Sequence, residues 1–273
     1  MTLQVRLILF FVYLLTTKGI AIVSGQIIKS PEELNIAILG DSMTWIGGEN
    51  CDNTDGWTYY FKKEINPQSI KIYARSGATL SNTPNTVKDS ESYSEILNDN
   101  NVVYNQAMRF KEDLLRGQNV MPDLLIIYAG ANDAWFKKQR ASAFHCSSSP
   151  LSSIRSTDLP GQRLTLEESI ALVVSNIREI ASQTSILLVT PVEMSKTSPE
   201  NIAIVSDIIE NTGKALDCDV LRADKKSGIS HKEEQKLFTN TRDGVHTNSK
   251  GAKLIGTLIA NKVRSLTVDE IIR

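Results

Sequence analysis

The sequence predicts an α/β fold in which helices cover both faces of a parallel sheet. Short apolar runs alternate with helical patterns along the chain, and each run is nearly continuous. Continuous apolar runs are typical of parallel strands that are buried on both faces, and strand–helix alternation favours a doubly wound sheet. With 273 residues, of which 41% are hydrophobic, the chain is long enough for one such domain with a sizeable core.

Five apolar runs are predicted as the strands of this sheet. Four are strongly apolar and the last is weaker, and in chain order they span residues 34–39, 70–73, 124–128, 186–190 and 218–221. We therefore expect a central parallel sheet of about five strands.

The helical patterns lie between these runs. They span residues 57–65, 105–115, 165–181, a segment that begins at Pro199, and 250–266. The clearest is 165–181, where Thr165 and Glu168 form a capping box ahead of an apolar stripe. The apolar stripes are interpreted as core packing.

Two polar stretches, 81–101 and 137–162, follow strand ends, where open α/β sheets bind ligands, so we expect functional loops there.

The first 25 residues are typical of a signal peptide. Arg6 precedes an unbroken apolar run over residues 7–15, and small residues lead up to Gly25. We expect cleavage after Gly25, a periplasmic or secreted protein, and a mature single domain over residues 26–273. The alternative is an uncleaved membrane anchor, but the run is short for a span, and no later segment could cross a bilayer.

Charge and cysteine content exclude several classes of partner. The net charge is -1 and the basic residues are scattered, so there is no electrostatic reason to expect nucleic acid. No Cys or His pair has metal-ligand spacing, so no metal site is expected. The odd number of cysteines leaves at least one of Cys51, Cys146 and Cys218 unpaired within the chain.

Two segments far apart in the chain suggest nucleophilic catalysis. The first predicted strand runs into Gly40-Asp41-Ser42, which places a serine at the carboxyl end of a strand after a residue that permits a sharp turn. Near the other end, Asp243 and His246 are three residues apart, so the carboxylate can orient the imidazole and leave its other nitrogen for a serine proton. Of the three histidines, His246 is therefore the best candidate for a general base, and the other two are expected at the surface.

Two further turns could supply hydrogen-bond donors to an oxyanion. Asn132 follows the third predicted strand, in Gly-Ala-Asn-Asp at 130–133, and its side-chain amide can point at the mouth of the sheet. Gly77 follows the second strand, in Ser-Gly-Ala-Thr at 76–79, where its backbone N–H could approach the same spot. Taken singly, these are ordinary turns.

Together, the four blocks resemble the SGNH (GDSL) hydrolase family. Gly-Asp-Ser, Ser-Gly-Ala-Thr, Gly-x-Asn-Asp and Asp-x-x-His occur in this order, each after the expected element, and the resemblance extends from about Ile36 to the final helix. Thr247 stands where a proline often follows the histidine, which changes loop stiffness and not chemistry. The absence of Gly-x-Ser-x-Gly argues against the α/β-hydrolase nucleophile elbow.

The resemblance implies a role for each residue. Ser42 would be the nucleophile, His246 the general base and Asp243 its orienting carboxylate, while Ser42 N–H, Gly77 N–H and the Asn132 amide would form the oxyanion hole. It also implies a flavodoxin-like three-layer α/β/α sandwich, no metal or organic cofactor, and a carboxylic ester hydrolase. The expected substrate is a small-molecule or glycan ester, such as a carbohydrate O-acetyl group.

Several alternatives remain open at this stage. The chain could be a lysophospholipase or thioesterase acting on lipids, an acyltransferase that uses another alcohol in place of water, or a non-catalytic binding module. Tryptophans near motif ends favour a glycan over a lipid, although each could pack in the core. Because export permits disulfides and both flanking loops should lie on one rim of the sheet, we expect a Cys51–Cys146 disulfide. Oligomeric state and acyl chain length are not determined by these patterns.

Overall fold

The computed structural model describes residues 29–91, 94–147 and 149–267. The expected signal peptide, residues 1–25, lies outside the described residues. In chain order the elements are β1 Asn35–Gly40, α1 Ser42–Trp45, α2 Trp57–Ile65, β2 Ser69–Ile72, α3 Val103–Leu115, β3 Leu124–Tyr128, α4 Ala131–Trp135, α5 Leu166–Ile180, β4 Ser185–Val189, α6 Pro199–Ala215, β5 Asp219–Leu221, α7 Ala223–Lys226, α8 His231–Lys236 and α9 Ser249–Leu266.

The five strands form one parallel sheet in the order β2-β1-β3-β4-β5. This is the flavodoxin-like order, in which the chain reverses direction between β1 and β3. The predicted α/β fold with a parallel five-stranded sheet is therefore confirmed. Each strand lies within about a residue of its predicted position, because continuous apolar runs give strands a clear signal.

Helices cover both faces of the sheet and make a three-layer sandwich. Along β1, Ala37 and Leu39 belong to the core under α3, α5 and α6, whereas Ile36 and Ile38 belong to the core under α2 and α9. Alternate residues of a strand point to opposite faces, so a continuous apolar run supplies both cores at once.

The helix boundaries agree with the expected spans to within about a residue, except at the start of α3. α3 begins at Val103, two residues before the expected start, because Val103 N donates to Thr79 O (2.9 Å) after a bridge between Thr79 and Val102. α5 begins as expected: Thr165 caps it, and Thr165 and Glu168 form the capping box.

The expected Cys51–Cys146 disulfide is wrong. All three cysteines are free: Cys51 is buried, Cys146 is exposed and Cys218 is half-buried. Cys51 faces inward at 4% exposure beside the core residues of α2, and burial raises the pKa of its thiol. A side chain packed in the core cannot reach one on the outside of another loop without backbone movement.

The polar stretches form the long loops that were predicted. Residues 81–101 contain no regular element among those described, and residues 137–162 contain three short 3₁₀ turns, Ala141–Phe144, Leu151–Ser153 and Pro160–Gln162. None of the helices in the described ranges is long and apolar enough to cross a membrane.

Candidate active site

The carboxyl ends of three neighbouring strands carry the predicted site residues. β1 lies between β2 and β3, with Gly40 opposite Tyr128 in register. The turns that follow these strands are tied together, since Asp41 N donates to Tyr128 O (3.3 Å) and Arg75 N donates to Gly40 O (3.1 Å). Ser42 therefore lies between the Gly77 turn and the Asn132 turn.

Ser42 is the first residue of α1, where its position is set by the helix cap. Asp41 has an extended backbone, and its Oδ1 accepts from Met43 N at 3.0 Å, as a side chain at the N-cap commonly does. Ser42 is 6% exposed, so its hydroxyl faces a largely desolvated space at the edge of the sheet.

Ser42, His246 and Asp243 form a hydrogen-bonded row. Ser42 Oγ lies 3.0 Å from His246 Nε2, and His246 Nδ1 lies 2.7 Å from Asp243 Oδ2. A proton on Nδ1 shared with the carboxylate leaves Nε2 as an acceptor toward the serine hydroxyl. The sequence separation between Ser42 and His246 is 204 residues, so only the tertiary fold brings them together.

The carboxylate of Asp243 is itself held in place. Its Oδ1 accepts from His246 N (2.7 Å) and Val245 N (2.9 Å). Its other oxygen, Oδ2, faces the imidazole. Partial burial works against ionisation, but the hydrogen bonds from the His246 ring and from these two backbone groups outweigh it and lower the pKa of Asp243. The group beside the imidazole is therefore a carboxylate in neutral solution.

The three groups predicted as oxyanion donors lie in the turns that follow β1, β2 and β3. Asn132 is 6% exposed, and its Nδ2 donates one hydrogen to Ala78 O (2.8 Å), which fixes the amide plane and leaves its second hydrogen available. Among the hydrogen bonds of the described residues, neither Ser42 N nor Gly77 N donates to a protein acceptor. Gly77 has φ +73°, and a Cβ there would lie 2.8 Å from the Ile96 carbonyl carbon, so a glycine is required.

Asp133 stabilises the turns around the proposed site. Its carboxylate accepts from Leu80 N (2.9 Å), Ser81 N (2.9 Å) and Ser81 Oγ (2.5 Å), which ties the loop after β2 to α4. Asp41 is also a turn residue, through its cap on α1. Burial raises the pKa of Asp41 to about 7; the hydrogen bond from Met43 opposes this rise and the nearby Asp133 carboxylate adds to it.

Sequence reasoning missed two residues that position the site. Gln106 on α3 makes a paired contact with Gly40: its Oε1 accepts from Gly40 N and its Nε2 donates to Gly40 O, both at 2.8 Å. It therefore fixes the backbone two residues before Ser42. The sequence carries no signal for this pairing, because the two residues are 66 positions apart.

Glu234 on α8 is the second missed residue. It is fully buried, and its carboxylate accepts from Asn240 N (3.0 Å), Asn240 Nδ2 (3.0 Å), Thr241 N (3.0 Å) and Thr241 Oγ1 (2.5 Å). Thr241 Oγ1 accepts in turn from Gly244 N (3.1 Å), inside the loop that carries Asp243 and His246. Glu234 lies in a charged stretch, residues 231–236, that is typical of a solvated surface, so nothing local distinguishes it.

The remaining histidines do not join the site. His145 is exposed, as expected, while His231 is half-buried, with its Nδ1 2.7 Å from Met194 O.

The tryptophans divide between core and surface: Trp57 is fully buried, and Trp135 is 38% exposed. Within the described residues, no group of three or more His, Cys, Asp or Glu side chains could hold a metal ion.

This fold and this site define a class of α/β enzymes that hydrolyse carboxylic esters at the carboxyl edge of a parallel sheet. The chain belongs to the GDSL-like lipase/acylhydrolase family, whose model matches residues 38–254. That match spans the segments from β1 to the helix after His246. The chain is therefore a carboxylic ester hydrolase.

Solved structures share the fold at low sequence identity. Est24, a carbohydrate acetylesterase from Sinorhizobium meliloti, is 17% identical, with a TM-score of 0.51 and coverage of 86% of this chain and 100% of that one. The lipase/acylhydrolase from Enterococcus faecalis is 18% identical, with a TM-score of 0.50 and coverage of 85% and 96%. A Lactobacillus plantarum protein is 13% identical, with a TM-score of 0.57 and coverage of 85% and 98%. No curated protein matches the sequence.

Proposed function

We propose that this chain cleaves carboxylic esters through an acyl-enzyme on Ser42. The observation that carries the proposal is the row of contacts from Ser42 Oγ to His246 Nε2 and from His246 Nδ1 to Asp243. Hydroxyl, imidazole and carboxylate in this order and at these distances are what nucleophilic catalysis by serine requires.

In the first half-reaction, Ser42 Oγ attacks the ester carbonyl while His246 Nε2 takes its proton. The carbonyl oxygen becomes an oxyanion, for which Ser42 N–H, Gly77 N–H and the free hydrogen of Asn132 Nδ2 are the proposed donors. Asp243 stabilises the imidazolium that forms. The tetrahedral intermediate then collapses, the alcohol leaves with the proton from His246, and Ser42 remains acylated.

In the second half-reaction, water replaces the serine hydroxyl in the same geometry. His246 takes a proton from the water as it attacks the acyl carbonyl, and a second oxyanion forms at the same donors. Collapse releases the carboxylic acid, and the proton returns to Ser42 Oγ. No step needs a metal or an organic cofactor, since proton transfer and charge stabilisation come from this chain's own groups.

For the substrate we propose O-acetyl groups on carbohydrates. Trp135, which is 38% exposed, lies three residues after Asn132 on α4, about one helical turn from a proposed oxyanion donor. Aromatic faces stack against the apolar faces of sugar rings, and the loops around the site are polar. The fold of Est24, a carbohydrate acetylesterase, is consistent with this proposal.

Labelling with a fluorophosphonate probe tests the nucleophile. We expect wild-type protein to be modified on the peptide that contains Ser42, and Ser42→Ala to be unlabelled and to lose at least about 10⁴-fold in kcat on p-nitrophenyl acetate. Ser265→Ala is the matched control, because Ser265 is exposed on the last turn of α9, at the end of the helix away from His246. Labelling that persists in folded Ser42→Ala protein would reject the assignment.

A further inference from the structure

A cleft is lined in part by α4, the helix that also carries Asn132. Its volume is about 830 Å³, and we call it the lysine cleft. Its walls include two stacked aromatic rings, a third ring and three lysines: Trp135, Phe136, Phe144, Lys137, Lys138 and Lys196. The proposed ester hydrolysis makes no use of these lysines.

The lysine cleft borders the site from two directions. Asn132 and Trp135 are three residues apart on α4, so they occupy neighbouring positions on one helix face, about 5 Å apart along the axis. On the other side, Ser195 N donates to Gly244 O at 2.7 Å, inside the loop that carries His246, and Lys196 is the next residue. The cleft therefore adjoins both α4 and the loop that carries His246.

Three lysines line the cleft, and the carboxylate of Glu200, which is hydrogen-bonded to the lining residue Ser198, offsets only part of their charge. No Asp or Glu is among its lining residues, and no ion pair found in the described part of the chain includes Lys137, Lys138 or Lys196. Lys137 Nζ donates to Asn201 Oδ1 (3.3 Å) and lies 5.0 Å from the centre of the Phe144 ring. Neither contact neutralises the ammonium group, so the potential in the cleft favours an anion.

The cleft also offers a flat and well-supported aromatic surface. Trp135 and Phe136 stack with ring centroids 5.1 Å apart and planes 10° from parallel. The helix that carries Trp135 is hydrogen-bonded to other lining residues: Thr197 Oγ1 donates to Ala134 O (3.0 Å), and Asn201 Nδ2 donates to Thr197 Oγ1 (3.1 Å). Stacked rings supply a large apolar contact at little entropic cost, which suits a ring-shaped ligand.

We propose that the lysine cleft is a substrate subsite for an anionic substituent, a carboxylate or a sulfate, on the sugar that carries the ester. The substrate class is then an O-acetylated acidic carbohydrate, whose ring stacks on Trp135 while its anionic group lies among the lysines. This inference rests on the proposed function, since it supplies the specificity of the same site. It does not depend on which hydroxyl of the sugar is acylated.

The test compares three acetylated sugars that differ at one position: a methyl glucoside, the corresponding glucuronoside and the 6-sulfate. We expect kcat/KM to be about 10-fold higher for the two anionic esters than for the neutral one at low salt, through lower KM, because oriented charge raises local substrate concentration. A preference confined to one of the anionic esters identifies carboxylate or sulfate as the group that is bound. The preference should shrink at 0.5 M NaCl, where charges more than a few ångströms apart are screened.

The double variant Lys138→Gln/Lys196→Gln removes two exposed charges that make no ion pair. We expect its ratio of kcat/KM for anionic over neutral ester to fall by about 5- to 10-fold. Lys253→Gln, an exposed lysine on α9, is the matched control and should keep the wild-type ratio. Thermal unfolding of each variant checks that the fold is intact.

The outcomes separate the two proposals. An enzyme that hydrolyses p-nitrophenyl acetate through Ser42 but shows equal kcat/KM for anionic and neutral sugars overturns the subsite alone. A ratio that survives in the folded double variant overturns it as well, as does faster cleavage of lysophosphatidic acid than of any sugar ester. If no ester of any kind is cleaved, the proposed function itself fails and the subsite falls with it.

Discussion

Glu234→Gln tests whether the buried carboxylate of Glu234 holds the loop that carries Asp243 and His246 in place. The Glu234 side chain accepts four hydrogen bonds, two at each oxygen, from the backbone N–H and side chain of Asn240 and of Thr241. A glutamine keeps one oxygen and puts an NH₂ group in place of the other. Whichever way the amide is turned, at least one buried backbone N–H then faces a donor.

The magnitude follows from the hydrogen bonds that are lost. A buried donor without an acceptor costs about 1–3 kcal/mol, and the bonds that remain lose the strength that a full negative charge gives them. We therefore expect Glu234→Gln to lower the free energy of unfolding by about 2–4 kcal/mol. Thr241 Oγ1 also accepts from Gly244 N, so a shift of this turn moves Asp243 and His246. A displacement of about 1 Å at a reacting group can cost 10²-fold in rate.

Two measurements check the reasoning, with a neighbouring residue as control. Urea unfolding gives the stability difference, and kcat on p-nitrophenyl acetate gives the rate under conditions where both proteins are folded. Glu233→Gln removes the same charge from an exposed position one residue earlier on α8 and should match wild type in both assays. A Glu234→Gln protein within about 0.5 kcal/mol and twofold of wild type would refute the argument.

Three further predictions follow from the site and the chain terminus. Asn132→Ala should lower kcat by about 10²- to 10³-fold with little change in KM, because the proposed donor acts on the oxyanion and not on the ground-state ester; a change confined to KM would argue against this role. Asp41→Asn keeps the cap on α1 but removes a carboxyl group whose pKa is raised by burial to about 7. In the wild type, the Asp41 carboxyl group binds its proton more tightly in the folded state than in the unfolded state. Asp41 therefore makes the stability of the wild type fall as pH rises from about 4 through 7. The wild type should therefore lose more unfolding free energy between pH 5 and pH 8 than Asp41→Asn, and equal losses would contradict the buried-carboxyl account. Finally, N-terminal sequencing of protein recovered from an exporting cell should begin at Gln26, and a mature chain that begins at Met1 would show that the leader is not removed.

The local patterns of the sequence were sufficient to predict the sheet, and they placed most residues of the proposed site at the ends of its strands. Strand positions depend on continuous apolar runs, which bury on both faces wherever a parallel sheet is covered by helices. The motif residues follow strand ends, and the carboxyl ends of parallel strands meet at one edge by geometry. For this reason the sequence predicts Ser42, Gly77 and Asn132 at the same edge of the sheet.

The tertiary structure decided what depends on contacts between distant segments. The predicted Cys51–Cys146 disulfide was wrong. Two loops can lie on the same rim of the sheet while one side chain points into the core, as Cys51 does, and the other points outward, as Cys146 does. Glu234 looked like a surface charge, yet it is buried against Asn240 and Thr241. Side-chain direction and burial are set by packing against elements far along the chain, and the local composition of a segment does not encode them.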